Sequence, residues 1–426
     1  MKRNILILLL MTGMYNGIAG DTLYLQKCWE LGAEYYPLSK QDVLFDQALD
    51  ARLATIALKS YFPRLTVRGE ASYQSDVPWI GDALPAGTGF NIEKPSKDQY
   101  RAVIDIQQTL YDANRSRSAK AMERLNTQEE KQQNAVEMHA LKQQIQRVYF
   151  TGLLQQCYNE ILQLTLSTLN ERIRIARSTT ENGVTTQRDL RLLEVEKLKT
   201  EKQVSEAKNN QEACIKMLEE LTGEKFMPDV ILALPNVRPL GEEGLENRRI
   251  EMDIFDTRIE KTIANKDVLN AETLPQVNLF GNLGYGRPGY NMLSNKLEPL
   301  YLFGLRVSWV PWDGNAIKKE KKNMEIQAQI LANRKAAFDD NVRASAWEKL
   351  YDIRKQENLL QQDLAIVDLR NKITGESASQ LDNGTLTTSD YITDLNAETI
   401  ARLNAESTKI QLIKARIDYQ LELGIE

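Results

Sequence analysis

The sequence contains no long apolar run, and this absence limits how the chain can relate to a membrane. No stretch reaches 18 consecutive apolar residues, whereas a membrane-spanning helix needs about 20. Charged residues make up 27% of the chain, and the mean hydropathy is −0.44. These values exclude a polytopic helical membrane protein.

Histidine and cysteine are scarce as well. His139 is the only histidine, and Cys28, Cys157 and Cys214 lie far apart. A zinc or iron site needs several such side chains at short spacing, so we expect no metal centre and no cofactor. Each cysteine lies on an apolar helical face, which predicts free, buried thiols. The sequence also lacks a nucleophile elbow and a phosphate-binding loop, so no enzyme is predicted.

The N-terminus has the features of a cleavable signal peptide. A basic start, Met1-Lys2-Arg3, precedes an apolar core over residues 5–14 and small residues near position 20. This order predicts export with removal of residues 1–20. No cysteine stands directly after the predicted cleavage site, which argues against a lipid-anchored N-terminus. Loss of Lys2 and Arg3 changes the net charge from −5 to −7, and this acidity argues against nucleic acid as a partner.

Two segments alternate between apolar and polar residues with the period of two that is typical of β-strands. The apolar positions of residues 64–111 are Leu65, Val67, Ala71, Tyr73, Ala102, Ile104, Ile106 and Leu110. Those of residues 275–311 are Val277, Leu279, Gly281, Leu283, Tyr285, Tyr301, Phe303, Leu305, Val307 and Trp309, with Phe280 as the one misfit. Each strand has about ten residues, which is long enough to cross a bilayer when tilted. We therefore expect two β-hairpins.

The two hairpins belong to an internal duplication with an offset of 201 residues. Asp112 corresponds to Asp313, and Asn182-Gly183 corresponds to Asn383-Gly384. Gly223 and Gly424 close the two copies in the same register. Repeats of this kind predict one structural unit used twice. The expected organisation is a first repeat at 21–224, a proline-containing linker at 225–247 and a second repeat at 248–426.

Each hairpin is followed by long, charged segments with helical character, at about 116–222 and 316–423. The first long helix of the second repeat carries apolar residues at seven-residue spacing, the pattern of a coiled-coil seam. The positions of this stripe are Ile317, Met324, Leu331, Phe338, Ser345, Asp352, Leu359, Ile366 and Ile373. A helix of about 70 residues would be about 100 Å long. It must pack laterally against other helices to bury such a stripe.

Four strands in one chain cannot close a membrane barrel, because the smallest such barrels have eight strands. Open strand edges are not tolerated in lipid, so a membrane-spanning sheet requires several chains. The polar face would then line a wet lumen with Arg68, Glu70, Arg101, Asp105 and Arg306. Aromatic residues near the strand ends predict an interfacial girdle: Phe62, Tyr111, Tyr301, Trp309 and Trp312. The alternative is a water-exposed hairpin whose apolar face packs on helices.

Several segments together resemble the outer membrane efflux protein family of TolC-like channel-tunnels. They are the opening helix at 25–38 with Pro37, the helix-to-strand entries at 61–65 and 273–277, the helix turns at 182–190 and 383–391, and the closing helix at 419–424. The resemblance covers the mature chain in order and spacing. It implies a mainly α-helical homotrimer in the outer membrane, with a twelve-stranded β-barrel in the lipid and a coiled-coil α-barrel in the periplasm. It also implies two partners, a periplasmic adaptor (membrane fusion) protein and an inner-membrane efflux pump.

The resemblance assigns roles to the two helix turns. Asn182, Gly183, Asn383 and Gly384 would form the periplasmic tips at which the adaptor docks. Asp390 and Asp394, one helical turn apart, would form a periplasmic gate. The competing explanation is local, because Thr387 and Asp390 have the spacing of a helix-capping box, as do Thr186 and Asp189.

Three functions remain open at this stage. The first is passive exit of substrates through a tripartite efflux system, and the second is a type I secretion duct of the same fold. The chain stops two residues after Gly424, whereas secretion ducts often carry a long C-terminal tail, so efflux is favoured. The third is an exported coiled-coil scaffold that does not enter the membrane.

Overall fold

A computed structural model describes residues 22–425 except 78–93, 95, 184, 228, 238–245 and 292–293. In chain order its elements are β1 (Thr22–Leu23), α1 (Leu25–Tyr35), a 3₁₀ turn (Pro37–Lys40), α2 (Gln41–Tyr61), β2 (Arg64–Tyr73), β3 (Asp98–Tyr111), α3 (Arg115–Glu181), α4 (Gln187–Thr222), β4 (Ile231–Leu232), α5 (Ile250–Glu272), β5 (Gln276–Arg287), β6 (Glu298–Ser308), α6 (Ala316–Asp382) and α7 (Thr388–Leu423). The predicted mainly α-helical class with two hairpins is confirmed. The predicted signal peptide, residues 1–20, lies outside the described residues.

The helices of the two halves of the chain have equal lengths. The helices α3 and α6 each contain 67 residues, and α4 and α7 each contain 36. α3 and α6 begin 201 residues apart, at positions 115 and 316, and α4 and α7 do so at 187 and 388. Both shorter helices end in a left-handed glycine, Gly223 with φ 71° and Gly424 with φ 71°. Glycine adopts this conformation without the Cβ clash that other residues meet.

The four long strands form one antiparallel sheet with the order β2-β3-β5-β6. β2 pairs with β3 from Arg64↔Gln107 to Tyr73↔Asp98, and β5 pairs with β6 from Gln276↔Ser308 to Gly286↔Glu298. The strands β3 and β5 join the two hairpins through the pairs Tyr100↔Arg287 to Tyr111↔Val277. Consequently, β2 and β6 lie at the two edges of the sheet.

The chain divides into two compact units that do not coincide with the predicted repeats. The hairpin unit contains residues 40–135 and 250–339, and the helical unit contains the remainder. Each unit therefore takes one portion from each repeat. Among the described residues, no helix is long and apolar enough to cross a membrane.

The helical unit has a hydrophobic core around Tyr149, which is fully buried. The Tyr149 hydroxyl lies 2.7 Å from the carbonyl oxygens of Leu23 and Ala233. It thereby contacts both sides of a short parallel pairing between β1 and β4. Within the predicted linker, residues 225–247, the short strand β4 was not predicted. Two-residue strands have no periodicity from which they could be predicted.

Ion pairs link the helices of the hairpin unit. Arg52 of α2 bonds Glu130 of α3 at 3.1 Å, and Glu129 of α3 accepts bonds at 2.6 Å from both Arg258 and Lys261 of α5. Although partial burial raises the pKa of the Glu129 carboxyl, the bonds from Lys261 and Arg258 outweigh this and lower it. No residue of α2 is buried, so its apolar side chains remain available to another molecule.

The seven-residue stripe predicted on α6 is half-buried within the chain over the first half of the helix and exposed from Leu359 onwards. Its early members are half-buried: Ile317, Met324, Leu331 and Phe338. Further along, the buried positions include Ala346, Ile353 and Thr374, one residue after the predicted ones. The late members of the stripe are exposed: Leu359 by 40%, Ile366 by 47% and Ile373 by 39%. A straight α-helix drifts by about 20° per heptad from a strict seven-residue repeat, so the contact line leaves the stripe.

Candidate functional site

The four-stranded sheet has one polar and one apolar face, and its register brings the predicted lumen residues together. Arg68, Glu70, Arg101, Asp105 and Arg306 all occupy the polar face. The Arg68 guanidinium lies 2.5 Å from the Asp105 carboxylate. Glu70 and Arg101 are directly opposite each other on β2 and β3. Opposite charges facing each other across antiparallel strands stabilise the pairing.

The apolar face is uncovered in the single chain. Val67 is 77% exposed, Tyr301 72% and Leu305 64%. Large apolar side chains exposed along four neighbouring strands form a continuous surface. A surface of this kind marks contact with lipid or with another protein.

The polar face contains more apolar residues than the sequence analysis assumed. Val103 and Leu300, on this face, are only 7% and 4% exposed. Leu302 also belongs to it, opposite Asn282. The predicted alternation was therefore too simple at these positions, since neighbouring side chains cover Val103 and Leu300 on the polar face.

Phe280, the misfit of the alternation, has a specific place on the polar face. It is directly opposite Gly304, where a Cβ would lie 2.8 Å from the Phe280 ring. The Arg306 guanidinium lies 4.8 Å from the centroid of the same ring, within cation–π distance. The absent side chain at position 304 thus provides the space for Phe280, and Arg306 contacts the ring.

A β-bulge alters the predicted pattern at the end of β3. Thr109 pairs with Asn278 and Tyr111 pairs with Val277, so Leu110 has no opposite residue. The sequence analysis counted in twos through Leu110 and did not predict the bulge. The extra residue moves Tyr111 onto the apolar face, the side of Val277.

The predicted aromatic girdle falls mainly at one end of the sheet. Phe62, Tyr111, Trp309 and Trp312 are exposed and lie where helices and strands meet. The Trp309 indole N–H donates a 3.0 Å bond to the Thr273 carbonyl oxygen, just after α5. Tyr301 was expected at a strand end and is instead inside β6, because that strand begins at Glu298.

A second group of exposed aromatic residues, which the sequence analysis missed, lies towards the opposite end of the apolar face. It comprises Tyr73, Tyr100 and Tyr285. All three lie within two residues of a strand end in the direction of the loops. A tyrosine near the loop-side end of each of these three strands was the sequence signal that could have revealed this group.

The two helix turns have the left-handed backbone conformation that glycine adopts without strain. Gly183 has φ 76° and Gly384 has φ 72°, and no other atom lies within 4 Å of a Cβ built at either position. The N–H of each glycine donates a 3.0 Å bond to a carbonyl oxygen three residues earlier. Asn182 and Asn383 are exposed beside them. Both turns are therefore open to a partner.

Thr387 caps α7 and has Asp390 as its partner, in agreement with the local explanation that their spacing offers. The Asp390 N–H donates a 3.2 Å bond to the Thr387 hydroxyl, which in turn lies 2.6 Å from the Asp390 carboxylate. Thr186 and Asp189 repeat both contacts at the start of α4.

Asp394, the other predicted gate residue, contacts the neighbouring helix of its own chain. Its carboxylate accepts a 2.5 Å bond from the hydroxyl of Ser377, a buried residue of α6. The structure therefore gives the two aspartates different partners, although they lie on one face of α7.

An ion pair joins the two turns laterally. The Arg172 guanidinium of α3 lies 2.6 Å from the Asp382 carboxylate at the end of α6. It also lies 5.1 Å from the ring centroid of Tyr391, which is almost fully buried at the start of α7.

The three cysteines are free, and Cys28 and Cys214 are buried, while Cys157 is half-buried. Burial raises the pKa of the Cys28 thiol to about 12 and that of Cys157 to about 11, so both are protonated at neutral pH. Within the described ranges, no group of histidine, cysteine and carboxylate side chains has metal-binding geometry.

Comparison with known proteins supports a channel fold. Residues 46–224 match the family model of outer membrane efflux proteins. No curated protein matches the chain. The solved structures that resemble it include the outer membrane protein VceC of Vibrio cholerae, with 12% identity over 94% of this chain and 96% of that one and a TM-score of 0.65. The CmeC outer membrane channel of Campylobacter jejuni shares 13% identity over 94% and 85% of the chains, with a TM-score of 0.67. The open MtrE outer membrane channel of Neisseria gonorrhoeae shares 15% identity over 94% and 89%, also with a TM-score of 0.67.

Proposed function

We propose that this chain, whose residues 46–224 match the family model of outer membrane efflux proteins, is one protomer of a trimeric channel-tunnel. In this proposal, substrates delivered by an inner-membrane pump through a periplasmic adaptor leave the cell passively through the trimer. The outer membrane holds the sheet, and the long helices extend into the periplasm. The observation that carries the proposal is the four-stranded sheet, with one exposed apolar face, one polar face and two unpaired edges.

The sheet has the dimensions of a membrane barrel segment. Tyr111 is opposite Val277, and Tyr285 lies eight residues further along β5. At about 3.4 Å per residue this is about 27 Å along the strand, or about 20 Å along the barrel axis for a tilt of about 40°. The apolar band of outer-membrane barrels is about 25 Å tall, with aromatic girdles at both edges. The two aromatic groups of the apolar face fit these edges.

The edge strands favour closure by further copies of the same chain. In lipid, every backbone N–H and C=O group must be paired, and β2 and β6 each have one unpaired side. Pairing β6 of one copy with β2 of the next would close twelve strands with three copies. Two copies would close eight strands, but they would leave only a narrow space between the long helices.

The exposed stripe of α6 gives independent support for lateral assembly. Leu359, Ile366 and Ile373 follow each other at about two helical turns, on a face that the chain itself does not cover. Burying such side chains stabilises a protein by about 1.5–3 kcal/mol each. A second copy of the chain provides long helices with the same apolar surface.

The turns at Gly183 and Gly384, with Asn182 and Asn383, are the proposed docking site for the adaptor. Both are exposed, have the same backbone conformation and end antiparallel helices. The gate role of Asp390 and Asp394 stays a proposal of lower weight, because capping and the bond from Ser377 already account for these carboxylates.

Cell fractionation tests membrane insertion most directly. We expect the full-length protein in the outer-membrane fraction, with extraction only by detergent. Recovery as a soluble periplasmic monomer would contradict the proposal and favour the scaffold function. Mass measurement in detergent is expected to give a trimer, and a stable monomer or dimer would refute the twelve-stranded barrel.

Deletion of the gene separates efflux from type I secretion. Loss of an efflux channel should increase sensitivity to toxic small molecules across a broad panel. Loss of a secretion duct should instead remove one exported protein from the medium and leave the panel unchanged.

A further inference from the structure

The charges on the polar face are unevenly distributed along the strands. Residues opposite each other across the sheet form rungs. Beyond the pair Gln276 and Ser308 at the helix side, the first rung of this face that spans three strands contains Thr109, Asn278 and Arg306. The next contains Arg64, Gln107, Phe280 and Gly304. We call these two the arginine rungs. Among the described residues, they contain two arginines and no carboxylate.

Acidic residues of this face lie further from the helices. Asp105 is two rungs beyond Arg306 and has the Arg68 guanidinium as its partner. Glu70, Arg101 and Glu298 share a rung close to the loops, with one arginine and two carboxylates. The face therefore changes from positive near the helices, through a neutral middle, to negative near the loops.

Two further carboxylates lie just beyond the strands, and both face helix N-termini. Asp112 accepts a 2.9 Å bond from the N–H of Ser116, and Asp313 a 2.7 Å bond from that of Ile317. The backbone donors of α3 and α6 thus stabilise their charge. Within the described residues, neither carboxylate forms an ion pair with Arg64 or Arg306.

Phe280 accounts for the position of Arg306. An aromatic residue on a wet face leaves apolar surface in water unless another group covers it. Here the ring lies over Gly304 and within 4.8 Å of the Arg306 guanidinium. A guanidinium held against an aromatic ring keeps its edge N–H groups for anion binding, because the ring occupies its face.

We propose that the arginine rungs make the helix-side end of the barrel lumen selective for anions, including carboxylated and sulfated solutes. The proposal rests on the trimeric channel proposed above. In that trimer, Arg64 on one edge strand and Arg306 on the other would come from neighbouring protomers at each seam. Three copies would place six arginines around one end of the lumen. A ring of one charge in a narrow pore attracts counter-ions and repels ions of its own sign.

Reversal potentials of the purified full-length protein in planar lipid bilayers under a KCl gradient test this proposal. We expect the wild type to favour chloride over potassium. The variant Arg64→Gln with Arg306→Gln should reduce the chloride-to-potassium permeability ratio by about two-fold or more. Arg306→Lys retains the charge and should retain most of the preference. Glu70→Gln removes a carboxylate and should shift the ratio in the opposite direction.

A second measurement does not depend on any variant. Salt screens fixed charges over about 10 Å at 0.1 M but only about 3 Å at 1 M. The anion preference of the wild type should therefore decrease as the salt concentration increases. A channel that is unselective or prefers cations, or a double glutamine variant with an unchanged ratio, would overturn the inference alone. Absence of any conductance from the reconstituted protein would overturn the proposed channel as well.

Discussion

The two helix turns have nearly the same backbone and very different side chains. At Gly183 and Gly384 the φ angles differ by only 4°, and the threonine caps make the same two contacts. Residues 171–195 contain five arginines and four acids, whereas the corresponding residues 372–396 contain one lysine and four acids. The first turn is thus weakly basic and the second clearly acidic.

This difference separates what the fold requires from what it leaves open. Reversing direction between two antiparallel helices requires a left-handed residue and a cap, so both turns keep them. Exposed side chains such as Arg188, Arg191 and Glu376 contribute little to that geometry. In the proposed function, these exposed side chains form the surface that an adaptor contacts. The adaptor would then meet a basic surface at one turn and an acidic surface at the other.

The largest expected effect follows from changing the glycine itself. Gly384→Val should abolish efflux while outer-membrane trimers persist. A β-branched residue at positive φ costs about 1–2 kcal/mol, which is small beside the burial in a trimer of long helices. No atom lies close to the position of the new Cβ, so the change acts through the backbone of the turn. Drug sensitivity of a complemented deletion strain, together with trimer mass, measures both outcomes.

Two matched variants complete this test. Gly384→Asn should keep most of the activity, because asparagine tolerates the left-handed conformation. Gly183→Val makes the same change in the basic turn, and equal losses would mean that both turns are needed. If Gly384→Val gave wild-type efflux at normal expression, the acidic turn would have no role in docking.

The pair between Arg172 and Asp382 should give a smaller effect, because it links the two turns within one chain. The Asp382 side chain is 53% exposed, so solvent screening limits the pair to about 1 kcal/mol or less. We expect Arg172→Ala to lower the unfolding temperature more than Asp382→Asn does, since Arg172 also contacts Tyr391. The measurement is a double-mutant cycle on detergent-solubilised trimers. Fully additive effects would show that the pair does not couple the turns.

The turns also show which features the sequence can predict. Gly183, Gly384 and their threonine caps follow local rules of sterics and hydrogen bonding, and the structure confirms their conformation. The partner of Asp394 could not be predicted, because Ser377 lies on another helix and its position depends on how α6 packs.

In the sheet, too, local features could be predicted from the sequence, whereas features that depend on distant residues could not. Alternation predicted both hairpins, since a period of two follows from the backbone alone. It did not predict the bulge at Leu110 or the order β2-β3-β5-β6, which depend on pairing between distant strands. The aromatic side chain at Phe280 is explained only by its neighbours across the strands, Gly304 directly opposite and Arg306 diagonally.

The smallest expected effect concerns the caps, and it tests whether the two turns differ in gating. Asp390→Asn and Asp189→Asn remove the same cap charge from α7 and α4. If both aspartates act only as caps, each variant should cost at most about 1 kcal/mol of stability, and single-channel conductance should barely change. If Asp390 belongs to a gate ring, only Asp390→Asn should alter conductance or block by divalent cations. Identical conductance in both variants and the wild type would exclude a gate role for Asp390. The acidic side chains of the second turn would then act only in docking of the adaptor.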